Sequence, residues 1–337
     1  MAGTSLGRIE AFSPDEAARE LTAALRSLGT PERAAQEKRY LKSDLDFLGV
    51  TVPDLRRAVR AAARRYGADL DREASVAWAV ALWREPVHER RMAAVEVLTL
   101  SVRRLTARDL AAVERLIREA GTWALVDGLA ASVAGAVALR DGSAWSRIDG
   151  WASDGDFWVR RSALLALLPG IRSGQLELDR FTAYAEPLLT EREFFIRKAV
   201  GWVLREISRS DPAWVARWTE EHIAGMSGVT FREAVRRLPP GEAERLRRLR
   251  SPLRFAAHRP VAGHGARIVR RAVIRPPRQD RHHTRIDQLQ AREESGNLRP
   301  RARHVRDAAL LARRACAGRL LGVDEIRGEM REGQVAA

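Results

Sequence analysis

With 337 residues, 45% of them hydrophobic and 31% charged, the chain has a globular composition and enough apolar material for a large core or two domains. No window approaches the roughly 20 uninterrupted apolar residues that a membrane span needs, and the opening MAGTSLGRIEAFSPDEAARE lacks a basic start followed by an apolar run, so a cytoplasmic location and no membrane partner are expected. The one cysteine, Cys316, leaves no intramolecular disulfide or multi-cysteine zinc site, and only His88 and His222 precede residue 258, so no metal or cofactor is expected in the main body.

The formal charge of +15 points to a polyanionic partner, but its distribution matters more than its sum. The last 87 residues hold 19 Arg, no Lys and a net +10, leaving +5 for residues 1–250. Any nucleic-acid footprint on the body must therefore come from clustering on one face.

Residues 1–13 read as a lead. Ser13-Pro14-Asp15-Glu16 then supplies a capping oxygen, a proline at the first helical position and acids in the first turn. Ala17, Leu21, Ala24, Leu25 and Leu28 follow at helical spacing up to Gly29. Thr30-Pro31-Glu32-Arg33 repeats the device for a second helix, which runs into Tyr40-Leu41-Lys42-Ser43 before a break at Asp46 to Pro53. A third helix carries Leu55, Val59, Ala62 and Ala63 on one side and five arginines on the other.

Further helices are predicted at 71–84, 88–104, 107–120, 122–140, 143–152, 156–168, 178–189, 193–209, 211–225, 230–238 and 241–250, without strands. They pair with a period of roughly 35 to 40 residues, the range of helical repeats. The fold class read from this pattern is all-α, an irregular α-solenoid over residues 14–250 whose inner helices suit an extended polymer.

Residues 251–304 are rich in Arg, Pro, His and Gly without an apolar period, which reads as disorder, and 305–321 allow one amphipathic helix. Two readings of this 251–337 tail stand: a basic arm that gathers nucleic acid electrostatically, or the Arg-rich, Lys-free product of GC-rich coding DNA in an unintended frame.

Chemistry enters in four places. Trp123 and Asp127 stand one helical turn apart in GTWALVDGLA, where a buried carboxylate needs a partner. It caps a neighbouring helix, pairs with an arginine, or serves a reaction. Trp158 and Arg161 share a face of a later helix, and Lys198, Trp202 and Arg205 share a stripe of another. The fourth place is the Tyr40 to Pro53 turn. Taken singly, core packing accounts for the tryptophans, and a solvated face or an ion pair for the arginines.

Taken together, YLKSDLDFLGVTVPDLR (40–56), TWALVD (122–127), FWVRRSALLAL (157–167) and EFFIRKAVGWVLREISRSDPAWV (193–215) resemble the bacterial AlkD family of DNA alkylation repair glycosylases over about residues 14–250. The resemblance implies a right-handed α-α superhelix of HEAT-like repeats, acting without metal or cofactor on double-stranded DNA that contains alkylated purines; a monomer is sufficient for such a solenoid.

It places the cleft aspartate, two tryptophans and arginine of that family on Asp127, Trp123, Trp202 and Arg161. It also places DNA-binding positions on Tyr40, Lys42 and Arg56, with Trp158, Lys198 and Arg205 as further candidates. The chain departs from the family at Thr122 and Ala124, where a second Trp and a second acid are common; the departure bears on packing or affinity.

The implied reaction is hydrolysis of the N-glycosidic bond of a cationic N3- or N7-alkylpurine. Asp127 would stabilise the developing oxocarbenium ion and orient water, Trp123 and Trp202 would meet the sugar and the cationic lesion, and Arg161 would grip a phosphate. The absence of a lysine near Asp127 implies an abasic product without strand cleavage. The alternative from another class is a non-catalytic helical-repeat scaffold that binds nucleic acid or protein.

Overall fold

Several helices in this protein begin where the sequence supplies an oxygen to cap them. In the computed structural model, which describes residues 12–256, the side chains of Ser13, Thr30 and Thr51 accept from the exposed amides of the first turns, each followed by proline at the start of the helix. These open α1 (Pro14–Leu28), α2 (Pro31–Leu41) and α3 (Val52–Tyr66). Asp71 and Asp156 cap α4 (Arg72–Trp83) and α10 (Phe157–Ala166) in the same way, and Glu193 and Asp211 cap α13 (Phe194–Ile207) and α14 (Pro212–His222).

The remaining helices are α5 (His88–Leu100), α6 (Leu110–Glu119), α7 (Trp123–Asp127), α8 (Ala136–Arg140), α9 (Trp145–Trp151), α11 (Leu168–Arg172), α12 (Leu178–Leu188), α15 (Gly228–Ala234) and α16 (Pro240–Ala256). Among the described residues there is no strand, only one isolated parallel bridge between Asp46 and Val87.

The helices stack as an α-solenoid in two layers. One layer runs α3, α5, α7 to α8, α10, α13 and α15, each packing on the next. The other holds α4, α6, α9, α12, α14 and α16. Side-chain bonds cross between successive members of that second layer at a nearly constant sequence offset. Trp151 Nε1 donates to Glu114 across 37 residues, the Tyr184 hydroxyl to Asp149 across 35, and Trp218 Nε1 to Thr182 across 36. That offset is the repeat period, and it shows each unit bonded to its neighbour.

The structure differs from the sequence expectation in four places. The predicted 122–140 helix is continuous but π-helical over Gly128–Gly135, between α7 and α8. Trp123–Arg140 is apolar and long enough to meet the length and composition of a membrane span, but 61% of it is buried inside the protein, as expected of a core helix. The predicted 88–104 helix stops at Leu100, and 101–104 form turns.

Between residues 168 and 178, where no helix was expected, Pro169 opens the short α11, because proline lacks the amide that would have continued α10 and suits a first turn. At the far end, α16 continues past the expected boundary at 250 to Ala256. The expected lead up to residue 11, the tail beyond 256 and its helix at 305–321 lie outside the described residues.

Candidate active site and nucleic-acid interface

Every candidate residue sits on the α3 to α15 layer or at the end of α2, just before the turn that enters that layer. That turn is built by one acid. Glu89, buried at the start of α5, accepts hydrogen bonds from the amides of Leu48 (2.8 Å), Gly49 (2.6 Å) and Val50 (3.2 Å). Gly49 has a φ of +79°, and a Cβ there would lie 2.1 Å from the Thr30 carbonyl oxygen, so only glycine fits. The turn packs on the start of α2, where the Thr30 amide donates to the Gly49 carbonyl at 3.3 Å. At the other end of α2, Tyr40 is exposed and stands edge-on to Trp123, with ring centroids 6.1 Å apart and planes at 83°. Lys42 is exposed in left-handed backbone at φ +49°.

On the α7 to α8 helix, Trp123 is half-buried and Asp127 is 6% exposed. Asp127 is held by Arg161 of α10, itself 3% exposed. Nε donates to Oδ1 at 2.9 Å and Nη2 to Oδ2 at 3.1 Å, a two-point pairing across 34 residues. Arg161 Nη1 donates to the Phe195 carbonyl at 2.6 Å, and its guanidinium lies 5.9 Å from the Phe195 ring centroid. The arginine therefore ties α7, α10 and α13 together. The phosphate expected against Arg161 would meet a guanidinium already turned to a carboxylate and a carbonyl.

Beside this pair, Trp158 packs between Phe157 (4.5 Å) and Phe195 (4.9 Å), giving the α10 to α13 junction an aromatic wall. Trp202, one turn beyond Lys198 on α13, is half-buried and packs against the core.

Apart from Lys42, the cations expected to face phosphates have protein partners. Arg56 donates to Glu96 at 3.2 Å with a quarter of its side chain exposed. Lys198 and Arg205 both pair with Glu233 of α15. Burial raises the Glu233 carboxyl, but the hydrogen bond from Lys198 and the charges of Arg205, Lys198 and Arg236 outweigh it and hold the group below the usual carboxylate range.

Sequence reasoning missed these acids because each partner lies about one repeat away: Arg56 to Glu96 is 40 residues, Lys198 to Glu233 is 35. A search for opposite charges offset by the repeat period would have found them. Phe195 and Glu89 were also missed.

A groove of about 830 Å³ lies between α9 and α12 and contains none of the candidate residues. Three of its four lining carboxylates are engaged: Asp149 with Arg180 and Tyr184, Asp154 with Arg118, Glu191 with Arg160. Among the described residues no group of three or more His, Cys, Asp or Glu is arranged to hold a metal ion.

The chain matches no curated protein. It is similar in fold to the structure of a predicted DNA alkylation repair enzyme from Enterococcus faecalis, with a TM-score of 0.56 and 24% identity over 63% of this chain and 97% of that one. The family model described as DNA alkylation repair enzyme matches residues 21–238, which takes in α3 to α15 and every candidate residue. The protein belongs to the DNA alkylation repair enzyme family, and its role lies in the repair of alkylated DNA.

Proposed function

We propose that the protein is a monofunctional DNA glycosylase that hydrolyses the N-glycosidic bond of cationic N3- and N7-alkylated purines in duplex DNA. The observation that carries this reading is the Asp127 carboxylate, fixed at two points by Arg161 and set one helical turn from the half-exposed ring of Trp123. An alkylated purine that carries a positive charge is already a good leaving group, so no acid is needed to protonate it. The barrier lies in positive charge developing on the deoxyribose. A carboxylate held rigidly near that sugar lowers it without reorganising at the moment of reaction. Each Asp127 oxygen accepts one bond from Arg161 and keeps a lone pair for water.

In this reading Arg161 is a positioning residue, Trp123 and Trp202 give the cationic lesion and its sugar aromatic surface, and Tyr40 steadies Trp123 edge-on. Lys42, exposed and without an ion pair among the described residues, is the backbone contact at the α2 end.

The scaffold reading is favoured by one observation, the engagement of both Asp127 oxygens by Arg161, which gives the acid a structural use. Product chemistry separates the two. Incubation with methylated duplex DNA is expected to release free 3-methyladenine and 7-methylguanine and to leave strands that break only after alkali. Stable binding of the duplex with no base released above background sinks the glycosylase reading and leaves the scaffold.

A further inference from the structure

Packing alone does not explain Ser132. It is the one polar residue between Asp127 and Arg140, in a stretch whose small positions are otherwise filled by alanine, at 130, 131, 134, 136 and 138. Alanine is the better helix former, and a hydroxyl inside a helix can bond the carbonyl one turn back. Thr22, Thr99 and Ser162 do so, each to the carbonyl four residues earlier, at 2.6, 2.8 and 2.8 Å. The Ser132 hydroxyl makes no such bond, nor any other among the described residues, and the residue is only half-buried.

The winding of the helix decides where that hydroxyl stands. Asp127 caps the π-helical run, and a π turn spans residues i to i+5, so the first wide turn ends on Ser132. In an α-helix a residue five positions on lies about 140° round the axis from Asp127; the wider turn brings Ser132 back toward the carboxylate. The run packs against α5 and α10 at its flanks and against α6 and α11 behind. Ala131 and Ser132 are its half-buried positions and the other six are buried, so these two face the side left open along the helix. A carboxylate with a lone pair to spare on each oxygen and a hydroxyl without a partner thus stand one wide turn apart.

We propose that Ser132 holds the attacking water together with Asp127, an assignment that rests on the glycosylase reading above. Asp127 accepts one hydrogen bond from the water and Ser132 Oγ accepts the other, which leaves a water lone pair directed at C1′ of the deoxyribose. The water oxygen bonds to C1′ as the bond from C1′ to the purine nitrogen breaks. The bonding pair leaves with the purine and cancels its positive charge, and the surplus water proton passes to Asp127 and then to solvent. With Asp127 alone the water is tethered at one point and swings about it; the second bond removes that freedom, and the rate gain comes from orientation. The π turn thereby acquires a use, since an α-helical run would carry the hydroxyl away from the water that Asp127 holds.

The test is single-turnover release of 7-methylguanine from a methylated duplex by the full chain. Ser132→Ala, which suits the helix, is expected to slow release about 10-fold with duplex affinity unchanged. Ser132→Thr keeps the hydroxyl and is expected to stay within about 3-fold of wild type. Because the two residues share one water, adding Ser132→Ala to Asp127→Asn is expected to slow that variant by less than about 2-fold further. Methanol, added as a competing nucleophile, gives a readout that loosened packing would not move: it is expected to capture a larger share of C1′ in Ser132→Ala than in wild type, measured as methyl glycoside against abasic lactol. A folded Ser132→Ala protein that keeps either the wild-type rate or the wild-type methanol share overturns the assignment. So does a Ser132→Thr protein as slow as Ser132→Ala, or a double variant in which the two losses multiply in full. A wild type that releases no base overturns the glycosylase reading and this role with it, whereas equal release by wild type and Ser132→Ala overturns this role alone.

Discussion

Arg161 and Asp127 are a buried pair whose worth lies in what happens when it is broken. A buried ion pair adds little net stability, because desolvating both partners offsets most of their attraction, but removing one partner leaves the other charged and unpaired. Arg161→Ala is therefore expected to cost about 3 to 5 kcal/mol in chemical denaturation, and it also orphans the Phe195 carbonyl. Arg161→Lys keeps the charge without the two-point geometry and is expected to fall between; an Arg161→Ala loss below about 1 kcal/mol would mean that the pair does not hold these helices.

His88 gives a separate signature in pH. It stacks on Phe47 at 4.8 Å, and burial lowers its pKa to about 4 from the usual 6.5. The folded state then binds no proton where the unfolded state does. Stability is full above about pH 6.5 and falls as pH drops toward 4, by roughly 3 kcal/mol over that window. Denaturation midpoints of wild type and His88→Gln across pH 4 to 7 check this, the variant being expected to lose that part of the slope. Glu233 acts lower: its depressed carboxyl contributes stability above about pH 4.5 that is lost as pH falls through its folded value.

At the scale of elements, the turn from Asp46 to Pro53 and the α7 to α8 helix set where the site residues stand. Glu89 closes the turn with three amide bonds, and Gly49 accepts the Thr30 carbonyl where a side chain would strike it. Gly49→Ala is expected to destabilise by more than about 1 kcal/mol, combining a clash with unfavourable φ, and to weaken DNA binding through Tyr40 and Lys42; calorimetry and anisotropy on the same variant read both.

The helices and their starts were legible because caps such as Thr30-Pro31 and Asp211-Pro212 are local chemistry. The π-helical run was not. GLAASVAG is apolar but for Ser132, so no periodicity marks the change of winding, and Gly128 and Gly135 are set by contacts with Val95 and the Ala166 carbonyl that lie far off in sequence. Wide turns of this kind recur at functional sites, and here one begins directly after Asp127.

For the molecule as a whole, stacking makes stability a sum over neighbouring units. Bonds such as Arg118 to Asp154, 36 residues apart, join one unit to the next. Arg118→Ala is expected to speed hydrogen exchange mainly in α6, α9 and α10, and a uniform rise across the fold would contradict a stack of local units. The repeat period made the solenoid readable, and the four motif blocks marked the candidate residues, Asp127, Trp123, Arg161 and Trp202 among them. Their partners were not, since Arg161 reads as a phosphate ligand until Asp127 and Phe195 are seen to occupy it, and Lys198 and Arg205 read as free until Glu233 is placed.

The central claim is that Asp127 is chemical as well as structural, and one rate decides it. Single-turnover release of 7-methylguanine from a methylated duplex, at protein concentrations that saturate the DNA, compares wild type with Asp127→Asn, which keeps the shape and an acceptor for Arg161. The account predicts a loss on the order of 10² to 10³-fold with DNA affinity close to wild type, together with a lowered melting temperature, because Arg161 keeps its charge while one of its two acceptors becomes an amide NH2. Release at the wild-type rate by a folded, DNA-bound Asp127→Asn protein would contradict it.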